Sequence, residues 1–325
     1  MQPTERLRSA VRAQALSGVL DPQARAALEQ VLRAGAGSVL GVIFYGSRKT
    51  LSSRDPWSAC DFFVLVRDYP TFYRALREGS WVHRPPWLLA ALNAVMPPSQ
   101  VRLSGPGESR LSAKCAVIRL DALVRATSAR RRDHFCAARL FQPVAIVHAD
   151  DDGAREMLVD CLAQAHALTY GWVRPWLPAR FDVATYCRTL LRVSFSWEIR
   201  PEPAARADEL FAAQRQTLEE LQGVLLDDLA RAGELCATSE GFTLARPPGR
   251  YERRRNRWYF RHSLMRATSR WLKHVVTHEG WLEHLVHKAE RHGGRPVELT
   301  SRERRWPLVF LWPRVLRHLR EKDRR

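Results

Sequence analysis

No run in this sequence approaches the ~20 consecutive apolar residues that span a bilayer. The opening MQPTERLRSAVRAQALSGVL holds no apolar stretch of signal-peptide length. An integral membrane protein is therefore not expected; the chain reads as cytoplasmic, soluble or peripheral at the inner face of the membrane. Cysteine is sparse and scattered, at Cys60, Cys115, Cys136, Cys161, Cys187 and Cys236, with no CxxC pair and no zinc-ligand spacing. Four of the six lie inside apolar runs, which predicts buried free thiols in a reducing compartment. Internal repeats and low-complexity tracts are absent too, and a hydrophobic fraction of 46% excludes a disordered chain. Nothing resembles a Ser-His-Asp or Cys-His constellation; His83 and His134 read as surface or structurally satisfied histidines.

Positive charge, by contrast, is abundant and uneven. The net charge of the 325 residues is +18, yet residues 246–325 alone hold 22 Lys and Arg against 8 Asp and Glu. The basicity belongs to a C-terminal module, and so does whatever anionic partner it implies.

Periodicity divides the rest. Leu7, Val11, Leu16 and then Ala24, Leu28, Val31, Leu32 have helical spacing, with Asp21 as the N-cap of the second helix. SVLGVIFY (38–45), DFFVLVR (61–67) and KCAVIRL (114–120) read as strands. YPTFYRALREG and PPWLLAALNAVMPP read as helices, and RDHFCAARLFQPVAIVHAD as a helix running into a short strand. From 154 to about 232 the pattern is helical, with Gly233 expected to end it. TSEGFTLARPPGR reads as a linker. The expected fold class is α/β (α+β), a mixed sheet with helices followed by a helical domain and a basic helical module. The expected domains are 1–153, 154–240 and 241–325.

The stretch FYGSRKTLSSRDPWSACDFFVLV, residues 44–66, carries the chemistry. A glycine straight after a strand lets the backbone approach a phosphate, because no Cβ intervenes. The Ser47 hydroxyl and the N–H groups after it can donate to phosphate oxygens. Asp61 opens the neighbouring strand at the same end of the sheet and suits Mg²⁺, which takes carboxylate and phosphate oxygens together. This is a layout for nucleotidyl transfer: the metal neutralises a triphosphate, a nucleophile attacks the α-phosphate and pyrophosphate leaves. On Gly46, Ser47 and Asp61 alone a plain turn and a capping aspartate remain open. Two carboxylates two apart would be usual, but Phe63 holds the second place. Asp55, Asp68 and Asp121 are the other carboxylates considered, with Asp121 preferred because it follows a predicted strand end.

Several further segments stand in a telling order. FYGSR followed by CDFFVLVRDYPTFYRAL, then KCAVIRLDAL, DHFCAARLFQPVAIV and LPARFDVATYCRTLLRVSFSWEIRPE, resembles the mitochondrial-type phosphatidate cytidylyltransferases, the translocator-maintenance family of nucleotidyltransferase fold. The resemblance spans about residues 38–225. That family also opens its strand on a lone aspartate. The sequence departs from it at Phe195 for a tyrosine, at Trp197-Glu198 for a Gly-Asp, and in offering only His83 near the family's His-Tyr-Ser signature. What the resemblance implies is CTP plus phosphatidic acid giving CDP-diacylglycerol and pyrophosphate, with Mg²⁺. It implies Gly46 and Ser47 on the nucleotide phosphates, Asp61 on the metal, Lys114 and Arg139 as phosphate-facing cations, and Arg200 on the nucleotide. No general base is required, because a phosphate monoester is already anionic near neutral pH.

The C-terminal module mixes arginines with Trp258, Tyr259, Phe260 and Trp271, and later with Trp306, Phe310 and Trp312. Residues 250–325 thus suit an anionic membrane surface, RNA, or a helix packing its aromatics on the core with solvated arginines outside. Three functions stay in view: the lipid cytidylyltransferase, a nucleotidyltransferase acting on RNA, a protein or a small molecule, and a non-catalytic membrane or nucleic-acid adaptor.

Overall fold

VLGVIFY and CDFFVLV are continuous apolar runs rather than alternating ones, the mark of strands covered on both faces. They pair at the centre of a five-stranded sheet. The structure, a computed structural model, describes residues 2–46, 49, 59–104, 112–198, 204–277 and 299–305. Ser47, Asp55, Arg200 and the apolar–arginine stretch 306–325 lie outside those residues. Strands β1 (Val39–Tyr45), β2 (Cys60–Val66), β3 (Ser99–Ser104), β4 (Ser112–Arg119) and β5 (Ala145–Ala149) take the order β3-β4-β2-β1-β5. β2 and β4 run parallel; the other pairs are antiparallel. With 60% helix and 17% strand the class is α+β, as the periodicity predicts.

Helices cover both faces. α1 (Glu5–Leu16) is capped by Thr4 and α2 (Pro22–Gly35) by Asp21, whose carboxylate accepts from the Ala24 N–H at 2.7 Å. α2 and α3 (Tyr69–Glu78) pack Val31, Phe72 and Tyr73 against Val42, Phe62 and Val64. α4 (Pro86–Val95) lies beside α3 and is tied to β4 by Asn93, which donates to the Val117 carbonyl at 3.1 Å. Next come α5 (Leu120–Ala126), α6 (Phe135–Leu140) and α7 (Asp152–Ala167). With α1, α6 and α7 belong to the layer over the second face, whose sheet residues are Ile43, Phe63, Leu65 and Ile118.

The chain continues through α8 (Thr169–Val173), β6 (Arg180–Phe181), α9 (Val183–Ser196) and α10 (Ala204–Arg231). Gly233, at φ +75°, follows α10 and ends it as expected. The segment read as a linker is instead a hairpin, β7 (Leu235–Thr238) and β8 (Gly241–Leu244), which pairs with β6. Phe242 explains the difference: it is buried against Phe181, ring centroids 6.2 Å apart. A single hydrophobic anchor outweighs the surrounding turn residues.

The basic helix α11 (Arg250–Thr277) is also not a separate module over most of its length. Phe260 is fully buried among Trp172, Trp176, Trp197 and His134. Asn256 donates to the Gly171 carbonyl at 2.8 Å, and Ser263 meets His134 Nδ1 at 2.6 Å. One continuous core runs from Leu7 to Phe260, so the boundaries expected at 153/154 and 240/241 do not mark compact units. The chain divides at 274/275. In the second unit, a short helix α12 (Ser301–Arg305) carries a capping box between Thr300 and Glu303. Five of the six cysteines are buried thiols and Cys236 is exposed. Among the described residues no helix is long and apolar enough to cross a membrane.

Within the first unit, Asp133 clamps α11 to the segment that leads into α6. Its Oδ2 accepts from Arg266 Nε at 3.0 Å and from Arg270 Nη2 at 2.8 Å. Burial by itself raises the Asp133 pKa; Arg270 and Arg266 outweigh it and hold the carboxyl below its usual range. A depressed acid contributes stability above its unfolded pKa and loses it as the pH falls through the folded one. Asp133→Ala leaves the buried Arg270 and the partly buried Arg266 without their carboxylate and should cost about 3–5 kcal/mol. Urea unfolding at pH 7 checks this, and the gap to wild type should shrink as the buffer is taken toward pH 3.

Candidate active site

Antiparallel and parallel pairing together place four side chains in a line across the sheet. Tyr45 on β1 pairs with Asp61 on β2, Asp61 with Lys114 on β4, and Lys114 with Arg102 on β3. Register partners project from the same face. Here it is the face that also carries Ile43, Phe63 and Ala116. β1 ends where β2 begins, so Gly46 sits beside Asp61.

That contact is close. Gly46 has φ +89°, and a Cβ built on it would stand 2.6 Å from Asp61 Oδ2. The glycine is required twice over, for its backbone and for the space the carboxylate takes up. Asp61 retains 22% side-chain exposure. Burial raises its pKa, while Lys114 and Arg139 pull it back in part. The Lys114 ammonium stands 3.9 Å from Oδ1, which is a loose pairing. Tyr45, buried next to this charge, has its hydroxyl pKa pushed up by burial first and by Asp61 second. Lys49, three residues beyond Gly46, is half-buried and its pKa is lowered by that burial.

Arg139 enters from α6. Its guanidinium meets Glu198 Oε1 at 3.1 Å, donates to the Phe135 carbonyl at 3.0 Å, and lies 3.9 Å from the centroid of the Phe135 ring. Desolvation would lower its pKa, but Glu198, with Tyr45 and Asp61 behind it, keeps the cation charged. Arg270 of α11 lies against the same ring, 4.5 Å from its centroid. The site is therefore one carboxylate, Asp61, in the field of Lys114 and Arg139, with Arg102 next to Lys114 in the row and Glu198 paired to Arg139.

The structure brings together Gly46, Asp61, Lys114 and Arg139 of the residues singled out from sequence. It does not bring Asp121. β2 and β4 are parallel, so Asp121 lies beyond the far end of β4; at about 3.3 Å per residue this is more than roughly 15 Å along the sheet from the Asp61–Lys114 pair. Its carboxylate accepts two bonds from Arg119, at 2.9 and 2.8 Å. The expected second metal carboxylate is thus a surface ion-pair partner. Asp68 is the N-cap of α3, accepting from Thr71 at 2.8 Å. His134 is buried on Ser263 with its pKa pushed down to about 4 by burial first, which suits a structural role.

Sequence reading passed over Arg102, Tyr45 and Glu198 as site residues. For Arg102 a signal exists: SQVRLS alternates, with Val101 and Leu103 buried on one face and Arg102 on the other. Glu198 could be connected to Arg139 only in three dimensions.

Among the described residues no three His, Cys, Asp or Glu side chains form a metal-binding group. A phosphate-linked Mg²⁺ asks for less, because it takes one or two protein carboxylates and fills its shell with water and substrate oxygens. Asp61 fits that part: a largely desolvated carboxylate, loosely paired and still 22% exposed.

Because ionised Asp61 is disfavoured in the folded chain, removing its charge should stabilise the protein. Asp61→Asn is expected to melt at a higher temperature than wild type at pH 7–8. The difference should vanish below pH 4, where wild-type Asp61 is itself protonated; scanning calorimetry at both pH values reads it. Gly46→Ala should go the other way, losing at least about 1–2 kcal/mol to the left-handed backbone alone. No protein-family model matches this chain, and no curated protein matches it.

Proposed function

We propose that this chain is a Mg²⁺-dependent nucleotidyltransferase, and that it uses CTP and phosphatidic acid to make CDP-diacylglycerol and pyrophosphate. The observation that carries the first half is the contact of Gly46 with Asp61: a glycine set against a desolvated carboxylate, with Lys114 and Arg139 acting on it. A lone acid beside two cations, Lys114 and Arg139, is a poor site for a positively charged or neutral ligand. It suits a polyanion that brings a metal with it. The second half rests on the resemblance of residues 38–225 to phosphatidate cytidylyltransferases.

In this reading Gly46 lets the triphosphate approach the end of β1. Asp61 would hold Mg²⁺, which when bound offsets the phosphate charge and orients the α-phosphate. Arg139, fixed by Glu198 and the Phe135 ring, presents a fork of donors suited to phosphate oxygens. The acceptor's phosphate oxygen bonds to the α-phosphorus, the α–β bridging P–O bond breaks, and its electron pair leaves with pyrophosphate. Positioning and electrostatics carry such a reaction.

Peripheral attachment fits the outer face of α11. Tyr251, Trp258 and Met265 recur every seven residues and are exposed, with Arg254, Arg255 and Arg261 exposed beside them. Each arginine near an anionic bilayer contributes about 1 kcal/mol. The same face is the specific support for a second reading, an RNA acceptor, since Trp258 presents a stacking ring beside the arginines. Salt-sensitive RNA binding without liposome binding would favour that alternative.

The decisive assay is turnover of labelled CTP with Mg²⁺ and phosphatidic acid in mixed micelles. Lipid-linked CMP should form and fall about 10³-fold or more in Asp61→Asn; full activity in that variant sinks the proposal. Mg²⁺-dependent CTP binding requires ionised Asp61, so it should fail on acidification at a higher pH than an ordinary aspartate, near 4, would dictate. Lys114→Met removes a charge that lowers the Asp61 pKa, so this acid limb should move to still higher pH.

A further inference from the structure

Arg102 is the part of the row that the reading above leaves without a task. Its neighbours Val101 and Leu103 point into the core on one side of β3, and Arg102 projects on the other, level with Lys114. Its Nε donates to the Ser112 hydroxyl at 2.9 Å. Ser112 is two residues before Lys114, so the guanidinium leans toward the end of the sheet where Gly46 and Asp61 lie. Among the described residues no carboxylate pairs with it. Other partly buried or buried arginines in this unit are answered: Arg139 has Glu198, Arg174 has Glu252, Arg266 and Arg270 share Asp133, and Arg131 lies on the Trp172 and Tyr259 rings.

We propose that Arg102 and Lys114 together seat the phosphate monoester of the acceptor. This rests on the nucleotidyl-transfer reading and gives it a direction. An in-line displacement needs the attacking and leaving oxygens on opposite sides of the α-phosphorus. Gly46 lies on the β1 side of Asp61, the side that takes the leaving pyrophosphate. Lys114 and Arg102 lie on the β4 and β3 side, one and two strand spacings away, or about 5 and 10 Å. The attacking group therefore comes from the β3 edge.

Two adjacent cations select the class of acceptor. A phosphate monoester carries close to two negative charges at neutral pH, which matches an ammonium beside a guanidinium with free fork positions. A sugar or serine hydroxyl brings no charge, would leave Arg102 without an anion and Lys114 with only its loose pairing to Asp61, and would need a base to remove its proton. The monoester needs none: its oxygen attacks as an anion, and the bond made to the α-phosphorus replaces the one lost to pyrophosphate. The same seat serves a lipid headgroup or a soluble phosphate monoester.

Calorimetric titration of the full chain separates these. Dihexanoyl phosphatidate, glycerol 3-phosphate and MgCTP are titrated singly into wild type, Arg102→Ala and Arg102→Lys. Expected is a loss of about tenfold or more in dihexanoyl phosphatidate affinity in Arg102→Ala. MgCTP affinity should stay within about twofold, and Arg102→Lys should recover part of the loss. If glycerol 3-phosphate follows the same pattern, the seat reads the monoester itself; if only the lipid does, it reads the headgroup on its glyceride. Unchanged acceptor binding in Arg102→Ala overturns the seat, as does a loss confined to MgCTP. Wild type binding MgCTP but neither phosphate ligand also overturns it, while nucleotidyl transfer stands. A wild type that binds no MgCTP removes the nucleotidyl-transfer reading, and the acceptor seat falls with it.

Discussion

Strand register is the constraint on which the site depends. Side chains alternate across a sheet, so slipping β2 by one residue against β1 and β4 would send Asp61 to the opposite face and Phe62 into its place. Both faces are buried, and each fills with its own set: Ile43, Phe63, Leu65 and Ile118 on one, Val42, Phe62, Val64 and Val117 on the other. Two distinct packed layers hold the register from both sides. The charged row Tyr45–Asp61–Lys114–Arg102 is the polar continuation of one of those apolar layers. Its alignment comes from hydrophobic packing, and the charges inherit it.

Placing a carboxylate at the end of such a layer carries a stability penalty, because burial disfavours the ion and Lys114 answers it only loosely. The rest of the unit does the opposite. Asp133 is answered by two guanidiniums, Arg174 by both oxygens of Glu252, and Arg8 by Glu156 and Asp160. A loosely answered acid, set against the closely paired Asp133, Arg174 and Arg8, is where function is expected to have been set against stability.

α11 links the two concerns. Its Phe260 closes the aromatic cluster under Trp172 and Trp197, and its Arg270 shares the Phe135 ring with Arg139. The basic C-terminal helix thus reaches the surroundings of the site from within the same compact unit, while its outer face keeps exposed aromatic and arginine side chains. Both aspects coexist because a helix of 28 residues presents a buried stripe and a solvated one at once.

What the sequence determined by itself was local. Apolar runs named β1, β2 and β4, caps such as Asp21 named helix starts, and Gly46 followed by Asp61 named the site, because each is a property of neighbouring residues. β3 and the β7–β8 hairpin were missed, since SQVRLS and TSEGFTLARPPGR are short and polar and form strands only with partners to pair with. Tertiary structure alone decided that Asp121 stands at the wrong end of β4, that Glu198 answers Arg139 from 59 residues away along the chain, and that Arg102 joins the row. Those facts follow from strand direction and helix docking. Both are set by which buried surfaces fit one another over long separations, which no local pattern records.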